Sequence, residues 1–159
     1  MIQIRKGTID DLPQVLQLVR ELAEYEKAPQ EVTNTVEDMH WDGFGERPIF
    51  EFFVAESEAD GIVGIALYYM GYSTWKGKML YLEDLIVTER LRRSGIGRRL
   101  FDAVAEEAKR VEAKRFRWQV LDWNESAIAF YKKIGADLSG EWLNCTLTEE
   151  QIQNYKGKL

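Results

Sequence analysis

The stretch "YLEDLIVTERLRRSGIGRRLFDAVAEEAKRV", residues 81–111, constrains the fold more than any other part of the chain. A β-like apolar run ends in a loop holding Gly95 and Gly97, and a helix-like pattern starts at once. Leu100, Val104, Ala108 and Val111 fall on one stripe of that helix, with charges elsewhere. Strand, glycine turn and amphipathic helix in direct succession call for an α/β chain. Five arginines (Arg90, Arg92, Arg93, Arg98, Arg99) crowd into ten residues of the turn with no acid among them, in a chain whose formal charge is −6. The turn is either solvated or a seat for an anion.

The anion reading has a physical basis. The first N–H groups of a helix have no partner within it and point outward, where the helix dipole adds partial positive charge. Glycine lets backbone approach an anion without a Cβ between them. Two familiar phosphate loops do not fit. No Gly-Lys-Ser/Thr is present, and Leu100 occupies the place of the third glycine of a dinucleotide fingerprint. What remains is Arg92-x-x-Gly95-x-Gly97.

Around this unit the chain alternates strands and helices. "IQIRKG" reads as a first strand. Val15, Leu18, Val19, Leu22 and Ala23 then recur at helical spacing. Thr8 or Asp10 can cap that helix, and Pro13, tolerated only near a helix start, favours the later cap. A short helix is expected around Thr35 to His40. "EFFVAES" and "GIVGIALYYMGY" are strands joined at "EADG", and "KMLYLEDLIV" is a third long strand. After the helix at residues 98–114, "RFRWQVLDW" reads as a strand and "NESAIAFYKKIG" as a helix ended by Gly135. "DLSGEWLNCTL" reads as a further strand or hairpin and "TEEQIQNYKG" as a terminal helix. The expectation is one mixed α/β (α+β) domain over residues 1–159, its central sheet flanked by helices.

Composition narrows the chemistry. One cysteine, Cys145, allows no intrachain disulfide, and one histidine, His40, leaves little for a metal site, so no metal is expected. Histidine and thiol catalysis are nearly excluded by count; carboxylates, tyrosines, lysines or backbone must act. The acidic balance argues against nucleic acid as a partner. No signal-peptide core opens the sequence and no run approaches the ~18 apolar residues of a membrane span, so a cytoplasmic protein is expected. Glu83 and Asp84 stand together in an apolar strand, and simple alternation sends them to opposite faces. Buried carboxylates need partners, which makes at least one a candidate for lining a cleft.

The Arg92–Gly97 spacing resembles the Q/R-x-x-G-x-G/A motif of the GNAT N-acetyltransferases. The segments "ELAEYE", "DGFGERP", "YSTWKGKMLYLEDLIV", "RRSGIG" and "WNESAIAFYKKIGA" resemble, in order, those of the spermidine/spermine N-acetyltransferase family from about Arg5 to Trp142. The resemblance implies a GNAT fold, acetyl-CoA as co-substrate, a small primary amine as acceptor, and a homodimer. It implies a cofactor site at Arg92, Arg93, Ser94, Gly95, Ile96, Gly97 and Arg98, with the backbone of Leu85, Ile86 and Val87 along the pantetheine arm. N–H groups near Ile86 and Val87 are expected to polarise the thioester carbonyl. Asn124 and Ser126 are implied as further cofactor contacts. Tyr131 is implied as the acid that protonates the leaving thiolate, and Glu83 as the group that assists amine deprotonation, directly or through water. Tyr25, Glu26, Glu83, Asp84, Glu141 and Trp142 are implied at the acceptor.

Ser73-Thr74 stands where polyamine acetyltransferases carry an Asp-Pro before W-x-G-K. A missing carboxylate suits a shorter acceptor with one distal ammonium. The change resembles the thialysine-preferring branch of the family. Polyamine acetylation, protein acetylation and a non-catalytic CoA-binding module are the alternatives left open by the residues.

Overall fold

Five strands make one sheet in chain order: β1 (Ile2–Lys6), β2 (Glu51–Ser57), β3 (Gly61–Ser73), β4 (Gly77–Val87) and β5 (Arg115–Arg117). Strands β1 to β4 pair antiparallel, and β5 lies parallel to β4. This is the mixed sheet expected from an early meander and a later crossover. The computed structural model describes residues 1–157. The chain falls into two compact units, Met1–Gln119 and Val120–Leu159.

In the first unit, α1 (Leu12–Tyr25) and α2 (Val36–Phe44) cover one face of the sheet. Leu12, Val15, Leu16 and Leu18 of α1 and Met39 of α2 pack with Phe52, Val54, Ile65 and Ile86 from three strands. Each such side chain contributes about 1.5–3 kcal/mol through burial, so this face holds much of the unit together. The third helix, α3 (Ile96–Arg110), sits close to the sheet, with Leu100 and Val104 fully buried. Gly64 makes that approach possible: a Cβ there would stand 2.9 Å from the Ile86 carbonyl oxygen and 3.0 Å from Leu100 Cδ1.

The start of α1 differs from the later cap expected at Asp10. A 3-10 turn, Ile9–Asp11, precedes the helix. Thr8 donates to Asp11 Oδ2 from its N–H at 2.7 Å and from Oγ1 at 3.0 Å. The Arg5 guanidinium holds the same carboxylate at 2.8 and 2.9 Å, which lowers its pKa. Pro13 is tolerated because it lies in the first helical turn, where no backbone donor is needed.

The second unit contains α4 (Glu125–Lys133) and α5 (Glu149–Gln153). Asn124 Oδ1 accepts from the Ala127 N–H at 3.2 Å to open α4, and left-handed Gly135 (φ +87°) follows its end. Thr148 and Gln151 cap α5 reciprocally. Two expectations fail here. The strand read from "RFRWQVLDW" is only three residues long, and residues 136–148 contain no strand. Trp142 and Leu143 are 76% and 91% exposed, so burial rewards neither face of that segment. Apolar residues without a ladder partner do not make a strand. No helix among the described residues is long and apolar enough to cross a membrane.

Candidate active site

Alternation along β4 sends Glu83 and Asp84 to opposite faces; the structure corrects this. The β3–β4 register shifts, so that Leu67 faces Asp84 while Tyr68 faces Leu82. Glu83 is the extra residue of a β-bulge. Tyr69 lies opposite Tyr81 and Leu67 opposite Asp84, and directly opposed residues share a face. Tyr81 and Asp84 therefore share one face although three residues apart. Glu83 reaches that face as well, because its Oε2 accepts from the Tyr69 hydroxyl at 3.0 Å. The Tyr69 and Tyr81 rings stack with centroids 5.3 Å apart.

Electrostatics follow from this gathering. Burial pushes the Asp84 carboxyl up to about 6, and the negative charges of Glu83 and Glu26 push in the same direction. Burial also raises Glu26, which follows the end of α1. Tyr69 is pushed up to about 12 by burial and by the Glu83 charge, so its hydroxyl is a donor at neutral pH. A carboxyl that titrates near 6 beside two further acids can bind an ammonium and accept its proton. Tyr25 lies next to Glu26, its ring 4.5 Å below the Arg92 guanidinium.

Among the described residues, the outer edge of β4 has no ladder partner next to the bulge. Its parallel ladder with β5 runs only from Met79 to Tyr81. At the far end, the Thr88 N–H donates to the Val63 carbonyl at 2.9 Å. Period-two alternation then turns the Ile86 N–H toward β3 and the Leu85 and Val87 N–H groups toward the open edge. The Ile86 side chain is in the core. The Val87 carbonyl, facing the same edge, accepts from Arg92 Nε at 3.2 Å.

The glycine loop continues from this edge. Arg93 (φ 64°) and Gly95 (φ 85°) are both left-handed, and Gly95 precedes the first turn of α3. The first helical bond runs from the Arg99 N–H to the Gly95 carbonyl at 3.1 Å. No side chain caps the helix, so the N–H groups of Ile96, Gly97 and Arg98 are left at its mouth. Ser94 Oγ donates to the Leu91 carbonyl at 2.5 Å and tightens the turn. The arginines contribute less free charge than their number suggests. Arg90 pairs with Asp60 at 2.7 Å, Arg98 with Asp102 at 2.7 Å, and Arg99 donates to the Ile2 carbonyl at 3.0 Å. Among the described residues Arg93 makes no ion pair. An anion at this turn would meet chiefly backbone.

In the second unit, Asn124 and Ser126 stand at the start of α4, with Asn124 engaged as its cap and Ser126 exposed. Tyr131, on the same helix, is buried with its ring 5.3 Å from that of Phe130. Burial pushes its phenol up to about 12 and keeps it protonated at neutral pH. Glu141 and Trp142 lie in the exposed segment after α4. Sequence reading missed Tyr69 and Tyr81. The signal was "YYMGY", where one of two adjacent tyrosines must share a face with a tyrosine of the next strand.

An uncapped glycine-opened helix thus lies beside an open strand edge and an acid-bearing bulge. The family model described as the acetyltransferase (GNAT) family matches residues 13–136. The chain belongs to the GNAT acetyltransferase family. A thialysine N-epsilon-acetyltransferase of Bos taurus is 43% identical, over 99% of this chain and 98% of that protein. The protein of the same name in Mus musculus is 39% identical, over 98% of each chain. Among solved structures, an aminoglycoside acetyltransferase from an uncultured soil metagenomic sample superposes with a TM-score of 0.74 at 22% identity. That likeness covers 92% of this chain and 95% of the other and concerns the fold. The architecture is the GNAT fold, and the chain is an N-acetyltransferase.

Proposed function

We propose that this acetyltransferase moves the acetyl group of acetyl-CoA directly onto the distal amine of a lysine-like amino acid such as thialysine. The full-length likeness to thialysine N-epsilon-acetyltransferases supports the acceptor class. Ser73 supports it too. Its Oγ accepts from the Lys76 N–H at 3.2 Å and closes the β3–β4 hairpin, so no carboxylate stands there to hold a long polycation. One observation carries the chemistry. The residues of β4 that bulge to gather acids on one face are followed directly by N–H groups on an open edge.

Acetyl-CoA supplies an activated thioester. The N–H groups of Ile96, Gly97 and Arg98, with Arg92, Arg93, Ser94 and Gly95 shaping the loop, hold its pyrophosphate. Asn124 and Ser126 add contacts. The Leu85 and Val87 N–H groups serve the pantetheine arm and the thioester oxygen; Ile86 keeps its own N–H for β3. Glu26, Asp84 and Tyr25, with Glu141 and Trp142, receive the acceptor ammonium. Glu83 takes its proton, directly or through water, and the freed lone pair forms the C–N bond. As the C–S bond breaks, Tyr131 gives its proton to the sulfur. Holding amine and thioester together supplies much of the rate, since neutral amines already attack thioesters. A homodimer belongs to this reading and rests on family resemblance.

The test is thiol release from acetyl-CoA over thialysine, lysine, ornithine, putrescine, spermidine and spermine. Highest kcat/KM is expected on thialysine. Strong turnover of spermine with none on thialysine overturns the acceptor assignment.

A further inference from the structure

Glu83 is exposed and has left the β3 ladder, so the strand alone does not hold its carboxylate in place. Something must choose its direction. The Tyr69 hydroxyl lies 3.0 Å from Glu83 Oε2, and the Tyr69 ring stacks at 28° on Tyr81, which is fixed in register opposite it. The ring cannot swing away without losing that stack. We propose that Tyr69 is a positioning residue for acetyl transfer, its O–H fixing the Glu83 carboxylate toward the acceptor. This rests on the reading in which Glu83 takes the acceptor's proton.

The groups around Glu83 sharpen the argument. Tyr81 and Asp84 flank it on β4, Tyr69 comes from β3, and Glu26, at the end of α1, acts on Asp84. On β5, Arg117 acts on Tyr81. The carboxylates disfavour one another's charge, whereas a donated hydrogen bond favours the ionised form. Tyr69 is a phenol held far from ionisation, so it donates across the whole neutral range. It therefore opposes the repulsion that would otherwise turn the Glu83 carboxylate aside.

Four proteins test this: the parent, Tyr69→Phe, Glu83→Gln and the double variant, each assayed for kcat and KM across pH with thialysine and acetyl-CoA. Tyr69→Phe keeps the ring and its stack, so the fold is retained and the melting temperature checks it. Losing a hydrogen bond to a charged group is expected to lower kcat roughly tenfold and move the acid limb of the profile to higher pH. The KM for acetyl-CoA stays unchanged. In the Glu83→Gln background the same change is expected to do nothing further. Equal losses in both backgrounds, or no loss in the parent, overturn the positioning role while leaving Glu83 its own. A fully active Glu83→Gln protein instead removes Glu83 from the mechanism, and Tyr69 with it.

Discussion

The arginine loop and the acidic bulge lie about ten residues apart on one strand-loop-helix unit, and they handle charge in opposite ways. In the loop, Arg90, Arg92, Arg98 and Arg99 have protein partners, and the groups left at the helix mouth are backbone N–H donors. In the bulge, Asp84 is buried, and among the described residues the charges that shift it are like charges, from Glu83 and Glu26. A cluster of arginines is thus mostly architecture, while a smaller cluster of acids is left uncompensated. Charge counted along a sequence differs from charge available to a ligand. Sites that must attract a cation keep their repulsion, and that repulsion is measurable.

The largest effect is expected at the bulge. Glu83→Gln should lower kcat on thialysine about a hundredfold near neutral pH, the usual contribution of a proton-accepting side chain. The deficit should shrink as pH rises toward the amine's own pKa, because more acceptor then arrives deprotonated. A loss independent of pH would assign Glu83 to binding or packing and erase the contrast with the loop.

The loop should respond through geometry. A Cβ at Gly97 would lie 3.7 Å from Val87 Cγ2, an ordinary contact, so Gly97→Ala should leave the melting temperature unchanged. The added methyl would nevertheless stand among the open N–H groups, and the KM for acetyl-CoA should rise roughly tenfold. Gly95→Ala is the complement. No atom lies within 4 Å of its Cβ position, but its φ is +85°, so about 1–2 kcal/mol of stability should be lost to backbone strain. An unchanged KM in Gly97→Ala would shift the anion seat from backbone to side chains.

Stability should report the uncompensated acid. Asp84 has its pKa raised to about 6 in the folded state, so the folded chain binds this proton more tightly than the unfolded chain. Stability then falls as pH rises from near 4 to 6 and the deficit persists above that. Asp84→Asn should stabilise the protein by about 1 kcal/mol at pH 8, discounted for partial exposure, and give no gain at pH 4. Asp11 has the opposite sign: Arg5 lowers its pKa, so its contribution is lost on acidification. Melting curves from about pH 2 to 8 separate the two, since the Asp11 loss falls below pH 4 and the Asp84 change above it. A destabilised Asp84→Asn at pH 8 would mean that the acid is held by a partner after all.

What sequence reading reached, and missed, follows the same physics. The three central strands, α3 and the glycine loop were legible because their periodicities are local. The helix around α4 was legible from Asn124 and Gly135, a cap and a stop. The bulge was not, since alternation presumes an unbroken ladder and the extra residue shows only in the pairing of Leu67 with Asp84. The segment at 136–148 misled for the same reason: a strand is a property of two chains side by side. The preference for Asp10 over Thr8 misled more mildly, because the Thr8 partner Asp11 is itself held by Arg5 from another element.

The smallest effect tests the loop half of the comparison most directly. Arg98 is half exposed, and its Nε lies 2.7 Å from Asp102 Oδ1 one helical turn on. Exposed pairs at this spacing contribute about 0.3–0.5 kcal/mol. If backbone seats the anion, Arg98→Ala should lower stability by about that amount and raise the KM for acetyl-CoA less than about threefold. Long-range attraction is screened at physiological salt, so repeating the assay at low salt should enlarge the KM effect without approaching that of Gly97→Ala. A tenfold rise at physiological salt would mean that Arg98 leaves Asp102 when the cofactor arrives. The loop would then, like the bulge, keep charge in reserve for its ligand.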